Sequence, residues 1–107
     1  MPIPSFYLGS VVRIVGKITT STDSTVGADP TGLSFYLTEP DGTTYSYTYG
    51  GSTHINRSTG LSGYAGSPVY YVDWLAAKEK VHRGGWLGTG SNAGADEFSF
   101  GVIQRRY

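Results

Sequence analysis

Apolar and polar residues alternate with a period of two in several short runs, the spacing of strands buried on one face. "SVVRIVGKITT" sets Val12, Ile14 and Ile18 on one side and Arg13 and Lys17 on the other. "GLSFYLT" alternates Leu33, Phe35 and Leu37 with Ser34, Tyr36 and Thr38, and "EPDG" then suits a tight turn. There Pro40 presets φ, Asp41 tolerates the turn and Gly42 supplies the freedom that follows. Beyond the turn, Tyr45, Tyr47 and Tyr49 alternate with Ser46 and Thr48, so residues 32–51 form one predicted hairpin. "THINR" offers a short strand around Ile55. "VYYVDWL" is the strongest strand, with Tyr70, Val72 and Trp74 on one face and Val69, Tyr71, Asp73 and Leu75 on the other. A strand around Trp86 follows, where Gly84 and Gly85 allow a bulge or a close approach. "EFSFGVIQ" closes the chain with Phe98, Phe100 and Val102 in step. "AAKEK" is the only helix-friendly segment, and five residues hold no helix without tertiary support.

About seven strands in roughly 100 residues, parted by Gly, Pro, Asp, Ser and Thr, predict an all-β antiparallel sandwich. The 107 residues show no linker or repeat and read as a single domain, 1–107. A chain this long buries roughly 65% of its unfolded surface and folds without staples. Its 16 glycines and 9 tyrosines favour turns and strands. Eight basic and eight acidic residues cancel. Neutrality argues against direct nucleic-acid binding, which draws on a positive surface. It also favours association, because near-zero charge removes mutual repulsion. No cysteine is present, which leans toward a reducing site of folding. "MPIPSFYLGS" lacks a signal-peptide pattern, and no run approaches the ~20 apolar residues that span a bilayer. The expectation is a soluble chain made in the cytosol, without a membrane partner.

Catalytic chemistry finds little footing. His54 and His82, the two histidines, lie outside any nucleophile-elbow pattern. Asp96 and Glu97 are the only adjacent carboxylates, and neighbours on a strand point to opposite faces. Metal-ligand spacing is missing, so no metal or cofactor is expected. Calcium between loops through Asp23, Asp29 or Asp96 is the weaker alternative to turn capping. "GGWLGTG" leads into a loop and a strand rather than a helix, so its glycines read as structural. "NRS" at 56–58 is a chance glycosylation triplet without a secretion signal. The terminal Arg105, Arg106 and Tyr107 read first as a solvated chain end, with contact to an acidic neighbour or DNA as the alternative.

The aromatics remain. Trp74 and Trp86 fit core packing. For Tyr45, Tyr47 and Tyr49 two arrangements stay open. On the face of Leu33, Phe35 and Leu37 they complete the core; on the other face they form a patch with Tyr36, since tyrosine suits both strands and interfaces.

In the order "LGSVVRIVGKI", "DPTGLSFYLTEPDGTTYSYTYG", "INRSTG", "VYYVDW" and "GGWLGTGSNAGADEFSFGV", the chain resembles the small immunoglobulin-like virion proteins of tailed bacteriophages. Leu87 departs from the pattern where an aromatic often precedes "GTG", and "AAKEKVHRGGW" is a longer crossover than usual. The resemblance implies an immunoglobulin-like sandwich and a non-enzymatic virion protein, made in the host cytoplasm and attached at the head surface or the head–tail neck. It implies as partners the major capsid protein, portal or neck ring proteins, and further copies of the chain. The expected contact residues are Tyr36, Tyr45, Tyr47, Tyr49, Arg105, Arg106 and Tyr107. The competing class is a carbohydrate- or surface-binding module, which requires Tyr45, Tyr47, Tyr49 or Trp86 in an exposed row.

Overall fold

The computed structural model describes residues 4–18, 29–61, 64, 68–90 and 94–104. They form eight strands and no helix: β1 (Ser5–Tyr7), β2 (Val11–Gly16), β3 (Gly32–Thr38), β4 (Thr44–Thr48), β5 (Asn56–Ser58), β6 (Val69–Leu75), β7 (Lys80–Thr89) and β8 (Gly94–Ile103). One sheet has the order β1-β8-β7-β3-β4 and the other the order β2-β6-β5. The chain changes sheets after β1, β2, β4 and β6, so every crossing binds the two layers together.

The β3–β4 hairpin turns as its sequence dictates. Gly42 N–H donates to Glu39 O (2.9 Å), Glu39 N–H donates to Thr43 O (2.8 Å), and Gly42 takes φ +93°. A three-residue loop with glycine in the left-handed position fixes the register. Thr38 faces Thr44, Leu37 faces Tyr45 and Phe35 faces Tyr47.

Between the sheets lie Val12, Ile14 and Ile18, then Leu33, Phe35 and Leu37, and Tyr70, Val72, Trp86, Phe100 and Val102. Phe35 and Leu37 are wholly buried, and full burial of such a side chain is worth about 1.5–3 kcal/mol. One close contact between the sheets sets the Trp86 indole over Gly16. A Cβ added at Gly16 would stand 2.5 Å from Trp86 Cδ2, so the backbone of β2 serves as the floor for the ring. Phe35 meets Trp86 edge-on at 4.8 Å. A run of near-parallel rings crosses the core, from His82 and Phe100 through Phe98 and Phe35 to Tyr47 and His54.

Four features depart from the expected pattern. β1 was not anticipated, and it pairs parallel with β8, so the strands are not all antiparallel. Three residues behind Pro4 carry too short a pattern to read. Phe6 nevertheless turns inward onto Phe100 (5.9 Å, edge-on), while Pro4 O accepts a bond from Gly101 N–H. Val69, placed by alternation on the outer face, is fully buried. "AAKEK" is not helical: Ala76 is buried and bonded through its N–H to Ser10 O, and Lys80 has φ +84°. Gly84 marks a close approach rather than a bulge. The register runs unbroken through it on both sides, and a Cβ there would sit 2.0 Å from Tyr36 O.

Gly16→Ala should overpack the floor beneath Trp86 and destabilise the fold by about 1–3 kcal/mol. Equilibrium urea unfolding measures this; a loss below about 0.5 kcal/mol would mean that the sheets are not pinned there.

Candidate functional site

Strand parity sends one set of side chains outward from the five-stranded sheet. From β1 and β8 come Tyr7 and Ile103, which face each other in register, with Ala95, Glu97, Ser99 and Gly101. β7 contributes Val81, Arg83, Gly85, Leu87 and Thr89. β3 adds Ser34, Tyr36 and Thr38, and β4 adds Thr44, Ser46 and Thr48. Tyr7, Tyr36, Val81, Leu87 and Ile103 are all among the exposed large apolar side chains, between 39% and 55% accessible. They stand among glycine, alanine and small hydroxyl residues, so the face is broad and weakly sculpted. Among the described residues, Arg83 and Glu97 are the charged side chains that strand parity places on it, and both line a shallow trough with Thr38, Val81, Phe98 and Ser99, while Glu79 and Lys80 border Tyr7 and Ile103 at its edge. A surface of this kind, apolar anchors among small residues and few charges, is suited to contact with another protein.

The hairpin register decides the tyrosines. Tyr45 and Tyr47 turn inward and are half-buried, Tyr45 edge-on to Trp74 (4.9 Å) and Tyr47 parallel to Phe35 (6.0 Å). Tyr49, at the end of the hairpin, is exposed and meets Tyr70 edge-on at 5.0 Å. Tyr36 stands on the outer face. Trp86 is buried, so Tyr45, Tyr47, Tyr49 and Trp86 do not form an exposed row. Arg105, Arg106 and Tyr107 lie outside the described residues, as does Asp23. The outward residues Tyr7, Val81, Leu87 and Ile103 were missed in the sequence, although for Val81, Leu87 and Ile103 the parity set by Trp86, Phe100 and Val102 carries the signal.

The ionisable groups are spread over the molecule. His54 Nδ1 lies 2.9 Å from Ser52 Oγ, while His82 is buried against Phe100 with Nδ1 3.3 Å from Lys80 O. Asp96 is half-buried and Glu97 exposed, as opposite strand faces require. Among the described residues no three His, Asp or Glu side chains gather as metal ligands. Asp29 is instead clamped by Arg57, whose guanidinium donates two bonds of 2.8 Å, and by the Tyr70 hydroxyl at 2.5 Å. The Arg57 bonds, reinforced by Tyr70 and opposed in part by burial, hold the Asp29 carboxyl below its usual range. Burial, and then the bond to Asp29, push the Tyr70 phenol up to about 12. Arg13 and Asp73 form a second two-pronged pair across β2 and β6, with the guanidinium 4.2 Å over the Tyr71 ring. Lys78 donates to Asp41 (2.6 Å) and to the buried Glu39 (2.9 Å) at the tip of the hairpin. Asp41 and Asp73 are likewise held low, by Lys78 and Arg13 in turn.

Neither a protein-family model nor a curated protein sequence matches the chain.

Two outcomes check this geometry. Tyr47→Ala should destabilise the fold by about 1–3 kcal/mol while Tyr36→Ala stays within about 0.5–1 kcal/mol; equal losses would contradict the inward and outward assignment. Asp29, Asp41 and Asp73 have folded-state pKa values below the unfolded value of about 3.9. Their stabilisation is therefore complete above about pH 4 and disappears as pH falls through the lower folded values. The urea midpoint should drop with acidification in that window, and Asp29→Asn should make the drop shallower. An unchanged slope in Asp29→Asn would remove the Arg57 clamp from the account.

Proposed function

We propose that the chain is a non-enzymatic, immunoglobulin-like structural protein of a tailed-bacteriophage virion, made in the host cytoplasm and attached at the head surface or head–tail neck through protein–protein contacts. The observation that carries this reading is the outer face of the five-stranded sheet, where Tyr7, Tyr36, Val81, Leu87 and Ile103 stand exposed among small side chains. The strand grouping supports the fold named here. β3, β7 and β8 share one sheet and β2, β6 and β5 the other, the division of C, F, G from B, E, D in immunoglobulin sandwiches. β4 lies beside β3, where variable-type domains carry their extra strand. The motif order, from "LGSVVRIVGKI" to "GGWLGTGSNAGADEFSFGV", supports the virion assignment.

The mechanism is adhesion by surface complementarity. A ring or shell presents many equivalent sites, so a modest contact per copy multiplies into firm attachment. Capsid protein, portal or neck ring proteins and neighbouring copies are partners of the right kind, because the face is nearly uncharged and the whole chain is neutral. Carbohydrate stacking is less favoured by the geometry, since Tyr45, Tyr47 and Trp86 pack inward.

Particles made by the encoding genome, purified to homogeneity, should contain the chain in a fixed stoichiometry to the major capsid or portal protein, measured by quantitative mass spectrometry. Its absence from such particles, together with glycan-array binding by the purified protein, would overturn the proposal in favour of a sugar-binding module.

A further inference from the structure

We propose that β4 is an interface between two copies of this chain, joined edge to edge and antiparallel about a two-fold axis at Ser46. This stands independently of the virion reading, because it concerns the chain's affinity for itself.

β4 is the outermost strand of its sheet. Backbone bonds at both ends of the hairpin, Glu39 N–H to Thr43 O and Tyr49 N–H to Leu33 O, set the phase of the ladder. Antiparallel alternation then directs the backbone groups of Tyr45 and Tyr47 toward β3 and those of Thr44, Ser46 and Thr48 away from the sheet. Of that outward set, Thr48 O accepts from Gly51 N–H at 3.1 Å.

The other edges are guarded more heavily than this one, whose Thr48 end is met by Gly51 N–H and by the Tyr49–Ser52 bridge. β1 is three residues long behind Pro4, β5 is three residues long and carries Arg57, and β2 carries Arg13 tied to Asp73. β4 has no proline, no lysine and no bulge, the usual devices that keep an edge from pairing. No Asp, Glu, Lys, Arg or His occurs from Gly42 to Thr53. That matters for a two-fold contact, which sets like against like and would make any charge repel itself.

The strand is also self-complementary. Thr44-Tyr45-Ser46-Tyr47-Thr48 reads identically in both directions. With the axis at Ser46, Ser46 meets Ser46 of the second copy and Thr44 meets its Thr48. The Ser46 pair exchanges two backbone bonds, and in each Thr44–Thr48 pair Thr48 N–H donates to Thr44 O, about four in all, since Thr48 O already accepts from Gly51 N–H. The exposed hydroxyls of Thr44, Ser46 and Thr48 line up on the outer face, a favourable cross-strand match. On the inner face Tyr45 comes beside Tyr47 of the second copy. His54 now stacks on Tyr47 at 4.1 Å, and in the pair it gives way to a phenol ring. The two five-stranded sheets become one, and their outer faces become a single continuous surface.

Sedimentation of the full chain over a concentration series tests this. The native chain should dimerise reversibly. Ser46→Pro removes the outward donor at the axis while sparing the bonds to β3, and Ser46→Lys places two like charges there. Each should weaken the dimer by about tenfold or more with little change in melting temperature. Should Ser46→Pro fail to fold, Ser46→Lys and a thiol probe decide the question. Since the chain has no cysteine, Ser46→Cys should be joined by a short bis-maleimide about tenfold faster than Ala95→Cys. A monomer up to about 1 mM, a dimer indifferent to both substitutions, or cross-linking no faster at 46 than at 95 would each overturn the proposal.

Discussion

The contact between the Trp86 indole and the bare backbone of Gly16 governs how the two sheets sit. An indole is among the largest side chains a strand can bury, and it fits only because the facing residue has none. That pairing fixes β7 against β2. Trp86 also buttresses Phe35 edge-on, and Phe35 in turn sets Tyr47 and Phe98. The hairpin of β3 and β4 is held to β7 by its strand register and braced against the core by this packing, passed along stacked rings. The indole nitrogens of Trp74 and Trp86 are buried, and the two rings sit edge-on against Tyr45 and Phe35 respectively.

With the core arranged this way, charge is left to the periphery. Arg13 with Asp73 covers the outside of the three-stranded sheet, Arg57 with Asp29 ties β5 to the segment before β3, and Lys78 bridges Glu39 and Asp41 at the hairpin tip. Each pair is at least partly exposed, and exposed pairs contribute little individually to stability. Their larger effect is on the surface pattern. Most of the described charged groups sit at strand ends, loops and the small sheet, and the outer face of the large sheet keeps Arg83 and Glu97. The result is a broad, nearly neutral face on the five-stranded sheet, the kind of surface the proposed adhesive role calls for.

Much of the fold is legible in the sequence because its strands are half-buried and alternate cleanly. Val12 and Ile14, Leu33, Phe35 and Leu37, and Tyr70 and Val72 all face the core as their spacing predicts. The side taken by Tyr45 and Tyr47 is encoded in the length of the turn. Glycine at the third loop position pairs Thr38 with Thr44, and every later pair follows. What the sequence hides is long-range. β1 is three residues whose partner lies at the opposite end of the chain, and Gly16 and Trp86 are 70 positions apart in the numbering. The clamps Asp29–Arg57 and Arg13–Asp73 join residues 28 and 60 apart, so no local pattern announces them. The outer apolar face escapes notice for a related reason: its residues are scattered over β1, β3, β7 and β8, and only the folded sheet collects them.

Under the proposed function, this outer face makes the attachment. Two aspartate substitutions of matched chemistry test it, Leu87→Asp on the five-stranded sheet and Leu75→Asp on the three-stranded sheet, both at exposed positions. Incorporation of each variant into purified particles is the measurement. The account predicts that Leu87→Asp is lost from particles at an unchanged melting temperature while Leu75→Asp is incorporated like the native chain. Normal incorporation of Leu87→Asp, with loss of Leu75→Asp, would contradict it.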